Sequence, residues 1–158
     1  MERRDKINYY LDIAETVSKR GTCLHENYGA IIVKNDEIIS TGYLGAPRTR
    51  KNCTDLGYCT CEKALGSKKS GHFEFCRAVH AEANAIVSAS RRAALNGTLY
   101  LVAMDSNTGE YVENASCCAM CRMLIINAGI STVIIRNNRD EYTVIDVDDE
   151  WVTHDETI

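Results

Sequence analysis

The chain has 158 residues, 18 of them basic and 22 acidic, for a formal net charge of −4. That length suits one domain that buries about two thirds of its unfolded surface. A 45% hydrophobic and 25% charged composition belongs to a globular protein rather than a disordered chain, apolar runs fall far short of the ~20 residues that span a bilayer, and the acidic balance argues against a broad nucleic-acid surface.

Residues 5–20 place Ile7, Tyr10, Leu11, Ala14 and Val17 on one helical face. Residues 28–33 and 37–43 read as two strands of an antiparallel hairpin around the turn Lys34-Asn35-Asp36. Residues 44–76 read as a loop rich in cysteine, and a loop of this length needs something to order it. An Ala-rich helix is expected over 78–95, closed by Asn96-Gly97. A buried strand follows at 98–104, a turn at 107–109 and a buried helix at 118–128 stopped by Gly129. Strands at 131–136 and 142–147 lead into an acidic tail over 140–158. Strand–helix–strand alternation in the second half predicts a parallel β-α-β unit. The expected architecture is a single α/β domain over 1–158, a three-layer sandwich on a mixed sheet.

The eight cysteines amount to about one residue in twenty. The first residues carry charge and lack an apolar signal core. The expectation is therefore a cytoplasmic protein with reduced thiols, in which metal binding or catalysis explains cysteine better than disulfides do. The charge is also uneven. Between Arg48 and Arg77 stand seven Lys or Arg against three acids, and from Asp140 onward there are eight acids and no Lys or Arg. The basic segment is either a solvated loop or the place where a small anion such as a phosphate binds.

Two short strings carry chemistry: His80-Ala81-Glu82 and Cys118-Ala119-Met120-Cys121, each at the start of an expected helix. The positive potential there favours thiolate at Cys118 and Cys121, the form that binds zinc. His80 supplies a third ligand, and three protein ligands leave a fourth position open, as in catalytic zinc sites. Glu82, two residues on, reaches a bound water without ligating the metal. The plainer alternatives are a core histidine and a buried or redox-active thiol pair.

This constellation is the H-x-E…C-x-x-C signature of zinc deaminases. The run Cys76-Arg77-Ala78-Val79-His80-Ala81-Glu82-Ala83-Asn84 resembles the deoxycytidylate (dCMP) deaminase family. So do Tyr28-Gly29-Ala30-Ile31-Ile32-Val33-Lys34, Ser40-Thr41-Gly42-Tyr43-Leu44-Gly45-Ala46-Pro47-Arg48 and Ile125-Ile126-Asn127-Ala128-Gly129-Ile130. The resemblance runs from about residue 7 to residue 136. It implies a cytidine deaminase-like α/β/α fold with about five strands. It also implies hydrolysis of a pyrimidine deoxynucleotide, dCMP to dUMP and ammonia. Zinc hydroxide is expected to attack C4 while Glu82 passes the proton to N3 and then to the leaving amine.

The resemblance further implies substrate contacts from Tyr43 and Ala81, with Arg48 or a basic neighbour meeting the phosphate. It implies a second, structural zinc held by Cys23, Cys53, Cys76 and a fourth group: Cys59 by preference, with Cys61 or His72 as alternatives. It implies a homo-oligomer, often a hexamer, with a small nucleotide as partner and neither membrane nor nucleic acid. Two positions depart from the pattern: Cys117 replaces the proline before the C-x-x-C string, and Leu44 replaces an asparagine that helps hold the sugar. A deaminase of another nucleotide, nucleoside or tRNA base, and a zinc-stabilised non-catalytic module, are the rival readings.

Overall fold

The computed structural model describes residues 1–66 and 73–154. The elements run α1 (Lys6–Ser18), β1 (Glu26–Lys34), β2 (Glu37–Tyr43), α2 (Cys53–Leu56), α3 (Thr60–Leu65), a 3₁₀ turn (Phe73–Phe75), α4 (Ala81–Ala89), α5 (Arg91–Ala94), β3 (Thr98–Asp105), α6 (Ala119–Asn127), β4 (Thr132–Arg136), β5 (Tyr142–Asp146) and a π-helical turn (Asp148–Val152). The sheet order is β2-β1-β3-β4-β5. Only β3 and β4 pair in parallel; the other three pairs are antiparallel. This is the expected mixed five-stranded α/β architecture. No helix among the described residues is long and apolar enough to cross a membrane.

The central strands are buried on both faces, and this explains their continuous apolar runs. Alternate residues divide between two cores. Ile31, Val33, Tyr100, Val102 and Ile134 pack against Tyr10, Leu11 and Ala14 of α1. Ala30, Ile32, Leu99, Leu101, Val133 and Ile135 pack against Ala81 and Ala85 of α4 and Cys121 and Ile125 of α6. Asn35 and Asp36 both take positive φ, the geometry of a tight two-residue hairpin turn.

Three expectations need correction. The helix expected over 78–95 starts later and breaks. Val79 is extended, exchanging backbone hydrogen bonds with Gly45 at 2.7 and 3.2 Å, and Ser90 takes φ 72° and splits α4 from α5. The 44–76 loop contains two short helices. Asn52 donates its N–H to the Asp55 carboxylate at 2.8 Å to open α2, and Gly57 and Gly66 close α2 and α3 at positive φ. The acidic segment from residue 140 builds a π-helical turn at Asp148–Val152 after the expected strand β5, and Trp151 stacks under the Arg122 guanidinium at 5.3 Å.

Gly42 decides how closely β2 approaches α4. A Cβ there would sit 2.3 Å from the Ala81 carbonyl oxygen and 2.4 Å from the Ala85 nitrogen. Both are backbone atoms and cannot swing aside. Gly42→Ala is expected to destabilise the protein by about 1–3 kcal/mol and to push α4 outward, lowering activity as well. Thermal unfolding and turnover measured together test this.

Candidate active site

The Gly45–Val79 bridge fixes the chain just ahead of α4, so His80 becomes the N-cap with an extended backbone and Glu82 enters the first turn. Cys118 is the N-cap of α6, and its Sγ accepts the Cys121 N–H at 3.4 Å. The two helix starts converge. His80 Nδ1 lies 3.5 Å from Cys118 Sγ and 3.4 Å from Cys121 Sγ. All three ligand atoms lie within 4.8 Å of one another. Asn84 holds the approach in place, donating from Nδ2 to the carbonyls of Tyr43 at 2.9 Å and Val79 at 3.3 Å.

The donor set fits zinc, since one imidazole nitrogen and two sulfurs match its preferred ligands. The bond Cys121 donates to Cys118, together with His80 and the Cys121 N–H, holds the Cys118 thiol down to about 4. Cys121 is pushed up in turn, first by that bond and then by burial. His80 is raised by its hydrogen bond with Cys118, against the opposing effect of burial.

Glu82 is 2% exposed, and its Oε2 lies 3.6 Å from Cys121 Sγ. Burial raises its carboxyl above the ordinary range, and its own N–H, His80 and the Cys121 thiol offset only part of that rise. A buried acid whose side-chain neighbours are the site's own thiols, beside three metal donors, is placed for proton transfer. Cys117 is buried beneath the site, its thiol raised by burial and then by the Glu82 charge.

Tyr28 was missed from the sequence. Burial raises its phenol first, followed by the charges of Glu26, Glu82, Cys117 and Cys118, so it borders the site. The available signal was strand alternation, which sets Tyr28 on the face of Ala30 and Ile32. Ala81 is fully buried as the first residue of α4. Leu44 is 8% exposed, and its side chain has no hydrogen-bonding group. The Tyr43 ring lies under the Arg20 guanidinium at 5.8 Å. Arg48 donates to Ser88 Oγ at 3.3 Å, about 12 Å along α4 from His80.

In the cysteine-rich segment, Cys76 is influenced by Cys23, Cys61 and Cys53. Cys61 interacts with Cys76 and with Cys59, and burial raises it to about 11. Cys59, the fourth ligand preferred from the sequence, lies beside His25 and Glu62 and also neighbours Cys61. It caps the outer end of α3, while Cys61 turns inward from the first turn. His72 lies outside the described residues.

Comparison with known proteins agrees with this geometry. A family described as the cytidine and deoxycytidylate deaminase zinc-binding region matches residues 4–137. A deoxycytidylate deaminase of Mycobacterium phage D29 is 31% identical over 140 residues, covering 85% of this chain and 96% of the relative. One of Schizosaccharomyces pombe is 30% identical over 139 residues, 86% of this chain, which spans only 39% of that relative's length. The dCMP deaminase of cyanophage S-TIM5, solved in complex with dCMP and dUMP, superposes with a TM-score of 0.61 at 27% identity, covering 87% and 85% of the two chains. With His80, Glu82, Cys118 and Cys121 gathered at two converging helix starts, the chain belongs to the cytidine and deoxycytidylate deaminase family.

Proposed function

We propose that this chain hydrolyses dCMP to dUMP and ammonia. The observation that carries the reading is the buried Glu82 carboxyl beside the converging His80, Cys118 and Cys121 donors. The relatives named deoxycytidylate deaminase, and the cyanophage structure with dCMP and dUMP, support this substrate.

His80 Nδ1 and the Cys118 and Cys121 sulfurs would hold the zinc. When bound, zinc lowers the pKa of a coordinated water toward neutrality. Glu82 Oε2 accepts the proton that water gives up and delivers it to N3 of cytosine; once the C4–O bond has formed, Glu82 takes the second proton from the new C4 hydroxyl and passes it to the N4 amine, which leaves as ammonia. The C4–N4 bond breaks and a C4–O bond takes its place. Backbone groups near Ala81 and Cys118 hold the ring edge, and Tyr43 borders the sugar. The phosphate falls to the basic segment; Arg48 reaches it by releasing Ser88. An ammonia-release assay over dCMP, CMP, deoxycytidine, cytidine and adenine nucleotides should give the highest kcat/KM for dCMP. No turnover of any cytosine compound by the zinc-loaded protein would overturn the reading.

A structural zinc in the cysteine-rich segment forms part of the same reading. Cys23, Cys53 and Cys76 supply three thiolates, with Cys59 or Cys61 as the fourth. The surroundings of Cys76 support Cys61. The eight free thiols suit a reducing cytoplasm. A homo-oligomer, up to a hexamer, would bury the exposed Val87 of α4 and Met120, Met123 and Leu124 of α6. Val87→Glu combined with Met123→Glu should shift the sedimentation coefficient toward the monomer value.

A further inference from the structure

Away from the His80 centre, His25, Cys59 and Glu62 bring one nitrogen, one sulfur and one carboxylate oxygen within 4.8 Å of one another. A tetrahedral zinc with bonds of 2.0–2.3 Å sets its donors about 3.3–3.8 Å apart, so binding requires His25 Nε2 and Glu62 Oε1, 2.7 Å apart without the ion, to part by about half an ångström or more while Cys59 stays within reach. Residue 25 is fixed at the root: its N–H donates to Cys23 Sγ at 3.4 Å, and its carbonyl accepts the Ser106 N–H at 2.8 Å. Cys59 and Glu62 are three residues apart at the first turn of α3, which puts both on one side.

The His25–Glu62 pair has an unusual geometry. His25 Nε2 and Glu62 Oε1 are 2.7 Å apart, yet Nε2 is buried and makes no hydrogen bond of acceptable direction. A buried ring nitrogen with no hydrogen bond, beside a carboxylate and a sulfur, is a donor that a cation can satisfy. A simple ion pair would also leave the Cys59 sulfur beside it without a purpose. The group opens onto a cavity of about 580 Å³ that Leu24, Tyr58 and Lys63 help to line. Lys63 is held over the Tyr58 ring at 4.3 Å. The cavity leaves room for a fourth ligand, such as water or an anion.

We propose that His25, Cys59 and Glu62 form an additional zinc site with an exchangeable fourth position. Thiolate and imidazole donors select zinc over magnesium or calcium. Thiolate and carboxylate together neutralise the divalent ion. The site clips the residue preceding β1 to α3, and so ties the cysteine-rich segment to the sheet. It adjoins the four-thiolate cluster, since Cys59 also neighbours Cys61, and it requires Cys61 rather than Cys59 as the fourth thiolate there.

Cadmium-113 NMR tests the proposal, because the chemical shift of the ion reports its donor atoms. The full chain is stripped and reloaded with Cd²⁺. A resonance from a mixed nitrogen, oxygen and sulfur donor set is expected. Glu62→Gln and His25→Ala should each abolish it and lower the zinc content by one ion per chain, while dCMP turnover and the resonance of the His80 centre stay unchanged. Should His25→Ala fail to fold, Glu62→Gln carries the test, since that side chain is 43% exposed. A spectrum and zinc content that Glu62→Gln leaves unchanged overturn the site and reduce it to an ion pair.

Discussion

Glu82→Gln lowers kcat on dCMP by about 10²–10⁴-fold, the usual worth of a positioned acid–base group. Zinc content and KM stay near the wild-type values, because Glu82 is not a ligand and the amide keeps the carboxyl's shape. Retention of full turnover would remove Glu82 from the mechanism. The pH profile sharpens the test. Burial raises the Glu82 carboxyl, so the acid limb of the wild-type kcat profile lies above the ordinary Glu value of about 4.3, and Glu82→Gln removes that limb from the residual activity.

The same shift has a consequence for stability. A carboxyl raised in the folded state stabilises the fold below its unfolded pKa and loses that contribution as pH rises through its folded pKa. The carboxyl is therefore harder to ionise in the fold than in the unfolded chain, and raising the pH costs the metal-free wild type stability. Metal-free Glu82→Gln should gain melting temperature relative to metal-free wild type as pH rises above about 4.3, with the difference closing as pH falls back to that value. An inactive variant that is more stable is the signature of a residue kept for chemistry.

Stripping the His80 centre with a chelator abolishes turnover, and stoichiometric zinc restores it. Zinc uptake also releases protons in a pattern set by the site. Cys118 is held down, so the protons that zinc displaces come from Cys121 and His80, whose affinities for them are raised. Calorimetry in buffers of different ionisation enthalpy should show about one to two protons leaving per ion bound at this centre. Affinity rises with pH and falls as the medium is acidified. Cys121→Ser removes a fully buried ligand, and Cys118→Ser removes the preformed thiolate; each should abolish zinc-dependent turnover. A Cys118→Ser protein with intact activity would contradict the assigned donor set.

Periodicity and the two short strings made the sheet, the hairpin, the parallel β3–α6–β4 unit and the convergence of His80, Cys118 and Cys121 legible in advance. These features rest on local rules: alternation in strands, turn residues at Asn35-Asp36, and an N-cap cysteine with its partner three residues on. Such rules act over a few residues and survive in a linear text. Tyr28 was half legible: its face followed from alternation, but its nearness to Glu82 depends on where α4 docks.

Other features had no local signature. Helix α4 begins at Ala81 because Val79 pairs with Gly45, thirty-four residues earlier in the sequence. Without that bridge the Ala-rich run would extend toward residue 78 and rotate His80 away from the sulfurs. The fates of Cys59 and Cys61 could not be divided by spacing, because two residues of one short helix point to different neighbours only when packed. The eight cysteines, first an excess in a composition, were already separated by sequence into a catalytic pair and a dispersed set. Only the tertiary structure placed Cys61 with Cys76 and turned Cys59 toward His25 and Glu62, because which thiols share a neighbourhood is set by long-range packing and not by their order along the chain.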